Sequence, residues 1–162
     1  MKLAEIHIDE ATWNGADDTR RREWRIAMDE MIADDSLEFA PDAHGLHIAM
    51  AEQGFTLALR DVAGSEVGKV ELLRDVLSKH VTEYVDIVRQ MERVDSSMGS
   101  SRIEALDMAK KVTHDNAARA LVRACRPLGM DHLACRRLFT VLFALRVDTS
   151  RLTGVRGHRP VR

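Results

Sequence analysis

The hydrophobic period of this chain changes from two to about 3.6 near Leu73, and that change dictates the fold class. Upstream, apolar residues alternate: Leu46, Ile48 and Met50, then Phe55, Leu57 and Leu59, separated by the turn-like "EQG" and followed by "DVAGS". A period of two places alternate side chains on one face of a strand. Val67 to Leu72 reads as a further strand, which makes a meander of antiparallel strands joined by short turns. Downstream, Leu73, Val76, Leu77, His80, Val81, Tyr84, Val85, Val88 and Met91 recur at helical spacing, a continuous apolar stripe along one helix. The prediction is an α+β fold: a small antiparallel sheet of three to four strands packed with helices, and a C-terminal cluster of three helices.

The flanks complete the order. "KLAEIHID" alternates and predicts a strand with Ile6 and Ile8 inward. Asn14, Gly15 and Asp17 break it. A helix follows over about Asp18–Ala33, capped by Asp17 or Asp18, with Trp24, Ala27, Met28, Met31 and Ile32 inward and Glu23, Asp29 and Glu30 toward solvent. "LEFAP" reads as a short extended piece ended by Pro41. Ser100 or Ser101 with Glu104 offers a capping box for the next helix. Ile103, Leu106, Ala109 or Lys110, and Val112 mark its apolar face, and Ala117, Ala120, Leu121, Ala124 and Leu128 continue it. Thr113 is either inside this helix or the N-cap of a new one. Pro127 and Gly129 stop it. The last helix, about Asp131–Val147, is apolar nearly all round (Leu133, Ala134, Leu138, Phe139, Val141, Leu142, Phe143, Leu145), as a helix central to a core is. Residues 1–147 form a single domain, and 148–162 read as a basic, aperiodic tail with Arg151, Arg156, Arg159 and Arg162.

Composition excludes more than it assigns. A length of 162 residues suits one domain that buries its own core. A formal net charge of −2 gives the whole chain no electrostatic bias toward nucleic acid or membrane. Cys125 and Cys135 lack CxxC spacing and read as small buried residues of a reducing compartment. The N-terminus carries acids where a signal peptide needs an apolar core, and "LFTVLFAL" is interrupted by Thr140, so the expected setting is the cytoplasm, without membrane contact. No P-loop, GxGxxG or GxSxG is present, and no cofactor is indicated.

The stretch "SRIEALDMAKKVTHDNAARALVRAC" (101–125) carries the candidate chemistry. On one continuous helix Glu104, Asp107, Lys111 and His114 share a face. Two carboxylates and an imidazole are a catalytic set for acid–base work or a divalent ion; the plainer reading is a solvated face with an Asp107–Lys111 pair, and no HExxH spacing assigns a metal. Lys111 and Asn116 join as binding candidates. His114 as a phosphorylatable histidine fails at Ala117 and Ala118, where such domains have Lys-Gly. "LVRACRPLGMDHLACRRL" (121–138) has helix-turn-helix spacing that would offer His132, Arg136 and Arg137 to a groove. A buried "LFTVLFAL" continuing the same helix favours an antiparallel hairpin instead. His80 lies on an apolar stripe, where a hydrogen-bonded core role is commoner than ligation. His7, His44 and His47 would converge if their strands pair.

Three patches carry a resemblance: 101–121, "ACRRLFTVLFAL" (134–145) and "RRREWRIAMDEMIADDSLEFAP" (20–41). They look like the signature regions of uncharacterised protein family 0262, small bacterial proteins found mainly in alphaproteobacteria. The likeness spans most of residues 1–146 and leaves out the tail. The family tends to have Gly before a His-Asn-Glu-like step, whereas Val112-Thr113 precede His114-Asp115-Asn116 here. The resemblance implies a bacterial, cytoplasmic α+β domain and no particular reaction. The leading expectation is a non-enzymatic interaction or regulatory protein that self-associates and has a protein partner. The alternatives are a metal- or small-molecule-dependent enzyme around Glu104, Asp107 and His114, and nucleic-acid binding through 121–138 and the tail.

Overall fold

A computed structural model describes residues 3–94 and 99–148. Its sheet has four strands in the order β1 (Glu5–Ile8), β2 (Gly45–Ala51), β3 (Gly54–Arg60) and β4 (Glu66–Leu73). β2, β3 and β4 form the expected antiparallel meander. β1 instead runs parallel to β2, with Glu5 opposite Gly45 and Ile8 opposite Ile48, so the sheet is mixed rather than wholly antiparallel. The reason is the connection: a short helix α1 (Glu10–Asn14) and α2 (Asp18–Ala33) lie between the two strands, and a helical crossover returns the chain in the same direction. Helix α1 is absent from the sequence-based expectation; Asp9 caps it by accepting from the Thr12 N–H.

One face of the sheet is buried. Leu46, Ile48, Phe55, Leu57, Leu59, Val70 and Leu72 point into the core, while Ile6 and Ile8 are half-buried against it. The cluster of α3 (Arg74–Arg93), α4 (Ser100–Ala124) and α5 (His132–Arg146) is present as expected. Helix α5 is central, with nine buried residues from Ala134 to Leu145. Leu133 departs from that all-round burial and is exposed. Trp24 of α2 is buried and its indole N–H donates to the Ala144 carbonyl at 2.8 Å, which satisfies a polar atom that burial would otherwise penalise.

Two local expectations fail for identifiable reasons, and the open choice at Thr113 resolves to a continuous helix. Glu23 is not on the solvent side of α2; it is only 3% exposed. The Ser–Glu104 capping box does not form, because the helix begins at Ser100, with Gly99 as N-cap and no side-chain cap. Helix α4 does not break at Thr113; it runs unbroken and buries Leu106, Lys110, Thr113, Ala117, Ala118 and Leu121, leaving Ile103 and Val112 exposed. The "LEFAP" segment pairs with no strand. It is stitched to the turn before α5 by Ala40 N–H to Leu128 O at 3.0 Å. That turn needs Gly129: its φ of +61° is left-handed, and a Cβ there would meet the Ala40 nitrogen at 2.7 Å. The expected tail lies, from residue 149 onward, outside the described residues. Among the described residues no helix is long and apolar enough to cross a membrane.

Candidate functional site

The candidates from sequence divide between two places. His114 projects from α4 toward α5, and Arg136, Arg137 and Thr140 project from α5 to meet it; with Asp34 and Leu133 they line a cavity of about 280 Å³. Glu104 is exposed and ten residues before His114, which at 1.5 Å of rise per residue puts it about 15 Å away along the axis. Asp107 is paired with Lys111 at 3.2 Å on the flank of the helix. Asn116 accepts from the Arg119 guanidinium at 2.8 Å. Of the expected set, the fold therefore gathers His114, Arg136 and Arg137, and leaves Glu104, Asp107, Lys111 and Asn116 outside the cavity. Among the described residues no group of three or more His, Cys, Asp or Glu is placed to hold a metal ion.

Helical spacing explains the gathering. Arg136 and Thr140 are one turn apart on α5, so both meet the same turn of α4. The Thr140 hydroxyl donates to the Arg136 carbonyl at 3.3 Å, as β-hydroxyls in helices do, and its oxygen lies within hydrogen-bond distance of His114 Nε2, at 3.1 Å. The ring lies against Phe139 at 5.4 Å and Tyr84 at 6.1 Å. Burial, then the Arg136 charge, pushes the imidazole down to about 4, so His114 is neutral at physiological pH.

Both guanidiniums are held by carboxylates. Asp115 accepts from Arg136 and from His132, the latter at 3.2 Å. The His132 hydrogen bond, then Arg136, holds the Asp115 carboxyl below its usual range. Arg137 donates through Nε to Asp34 at 3.2 Å and reaches Glu30 at 3.9 Å. Asp34 is held low chiefly by the Ser36 side chain and backbone N–H. Each Arg has five N–H donors and uses one or two in these pairs. The arrangement is two pre-aligned hydrogen-bond forks beside a neutral imidazole. It offers donors for acceptor oxygens. Cys125 and Cys135 add no nucleophile: burial raises them to about 11 and about 12.

The family described as Uncharacterised protein family (UPF0262) matches residues 1–148, which takes in every residue of this pocket. The chain belongs to that family. A UPF0262 protein of Methylobacterium radiotolerans is 27% identical over 148 residues, covering 89% of this chain and 92% of the relative. One from Hyphomonas neptunium is 25% identical, covering 94% and 97%. One from Paracoccus denitrificans is 24% identical, covering 89% and 94%. No solved structure matches. The family is uncharacterised, so membership assigns no reaction and the geometry carries the functional argument.

Sequence reasoning missed Thr140 and Asp34 as members of the pocket. Thr140 had a signal: it is the one hydroxyl in an otherwise apolar run, and a polar break in a core helix needs a partner. Asp34 had none, since only the packing of α2 on α5 brings it to Arg137. The strands do bring His7 and His47 together, side by side in register with ring centroids 4.7 Å apart. His80 is half-buried on its helix, and its Nδ1 is buried without a hydrogen-bond partner among the described residues, unlike the satisfied core histidine expected there.

Proposed function

We propose that this protein is a non-enzymatic regulatory protein that recognises a small polar anion in the α4–α5 pocket and passes occupancy of that pocket to a protein partner. One observation carries the reading: Arg136 and Arg137 flank the cavity with their forks already aligned by Asp115 and Asp34, beside a neutral His114. Pre-alignment removes part of the ordering cost of binding. Carboxylate and phosphate oxygens are the acceptors that guanidinium forks match best. A cavity of about 280 Å³ suits a small metabolite rather than a polymer. The involvement of Arg136 and Arg137 in helix-to-helix ion pairs supports this over reading them as groove-contacting residues. The 15 Å axial separation of Glu104 from His114 supports it over a metal-dependent enzyme built on Glu104, Asp107 and His114.

The proposal places the protein in a bacterial cytoplasm. Its supports are the bacterial relatives and two unpaired thiols, the state that a reducing compartment maintains. Self-association belongs to the proposal through exposed Met108 and Val112, one turn apart on α4; a Val112→Glu change that leaves a sedimenting dimer intact removes that part. The main test is a thermal-shift and calorimetric screen of inorganic phosphate, sugar phosphates, nucleotides and divalent metals. A shift by a sugar phosphate or nucleotide that disappears in both His114→Ala and Arg137→Gln is the expected result. A shift by a divalent metal that requires Asp107 overturns it in favour of the enzyme reading.

A further inference from the structure

A second cavity lies on the other side of α5, where α3 crosses β3. Its floor and walls are Phe55, Leu73, Leu77, Val81 and Leu142, and its volume is about 150 Å³. That is the size of an apolar cavity that accepts one benzene ring. Two cations, Arg74 and Arg146, stand in its lining, and no Asp or Glu does. The Arg146 guanidinium lies over the Phe55 ring at 4.9 Å. Its Nη2 is buried and has no hydrogen-bond partner among the described residues. Neither arginine forms an ion pair among them. Burial and then the Arg74 charge weaken the hold of Arg146 on its proton.

A buried, unpartnered donor of a charged group is costly, and two cations facing one apolar space compound that cost. Chemistry that relieves both is a single negative charge with two acceptor oxygens in a plane, which a guanidinium fork binds bidentately. Chemistry that fills the remainder is an apolar body of about one ring. We infer that the α3–β3–α5 cavity is a binding site for a small apolar monocarboxylate: an aromatic acid of one ring or an aliphatic acid of about six carbons. The carboxylate pairs with Arg146, Arg74 closes the mouth, and the ring or chain lies among Leu77, Val81 and Leu142. This site is separate from the α4–α5 pocket and does not depend on it. An anion bearing a sugar or a base exceeds its volume.

The test uses the full-length chain and titration calorimetry with benzoate, hexanoate, benzamide and acetate. Benzoate and hexanoate are expected to bind one per chain, benzoate at least tenfold tighter than benzamide, and acetate without saturation. Arg146→Met is expected to abolish the preference for benzoate over benzamide, while Val81→Phe, which fills the cavity, abolishes binding of both. Circular dichroism confirms that each variant is folded. Absence of saturable benzoate and hexanoate binding by the folded wild-type chain overturns the proposal. So does benzoate binding that survives Arg146→Met but is lost in Arg137→Gln, which assigns the acid to the α4–α5 pocket. A sedimenting dimer that Val81→Phe dissociates, with no acid bound, assigns the cavity to a second copy and also overturns it.

Discussion

Two pairs of arginines on opposite sides of α5 have opposite settings. Arg136 and Arg137 each face a carboxylate supplied by another part of the fold, Asp115 from α4 and Asp34 from the end of α2. Arg146, three turns further along the same helix, meets Arg74 and an aromatic face. A paired guanidinium positions donors and ties helices together, with its charge largely neutralised locally. An unpaired one in an apolar cavity is an incomplete interaction awaiting an anion. Position in the fold, and not residue type, decides which of these an arginine becomes.

Acid pH gives the largest effect. His114 titrates near 4 in the folded chain and near 6.5 when unfolded, so the unfolded state takes up the proton first as pH falls. Stability is therefore full above about pH 6.5 and is lost progressively toward pH 4, by about 3 kcal/mol at most. Urea denaturation at pH 7, 5.5 and 4 measures it, and His114→Gln removes that component of the slope. A second effect sharpens the contrast between the paired and unpaired arginines. Arg136→Met removes one of the two partners of Asp115 and lowers stability by about 0.5–1 kcal/mol, whereas Arg146→Met removes an unpartnered donor and leaves stability equal or higher by about 0.5–1 kcal/mol. Equal losses in chemical denaturation would break the contrast.

Lys110 tests the same idea on α4. It is buried against Tyr84, its ammonium 5.7 Å from the ring centroid, and burial pulls it down to about 8 despite Asp107. Below pH 8 the fold holds that charge at a cost, so Lys110→Met raises stability by about 1 kcal/mol at pH 7, with the gain shrinking toward pH 10 in thermal melts. The smallest effect is at Asp34, whose side chain is partly exposed: Asp34→Asn is expected to leave the melting temperature unchanged while weakening anion binding several-fold by freeing the Arg137 fork.

Much of the fold was legible because it depends on local periodicity. Helix α2 matches its expected span, α3 begins one residue after the change of period, and β2 and β3 match their alternation. The misses occur where the deciding partner is remote. Helix α4 looked apolar through Ile103 and Val112, yet α3 and α5 select the face bearing Lys110 and Thr113, because a lysine stem packs against Tyr84 and small residues admit a neighbouring helix. Glu23 is buried beside Trp24 in the sequence, and which side of α2 is covered is set by its packing on α5, where the Trp24 indole donates to the Ala144 carbonyl. The parallel β1–β2 pair was readable in principle, since two helical segments lie between the strands. Of the site, His114, Arg136 and Arg137 were singled out by type and spacing, whereas the exclusion of Glu104 needed only a continuous helix and its rise.

By itself the sequence determined the kind of element at each stretch, the centrality of α5 and the inertness of the two cysteines, because hydrophobic spacing and side-chain size act over a few residues. The tertiary structure alone decided which arginines are paired. It also decided which imidazole is forced neutral and where two cavities open. Those properties depend on groups more than twenty residues apart meeting within hydrogen-bond distance, and no local pattern encodes that meeting.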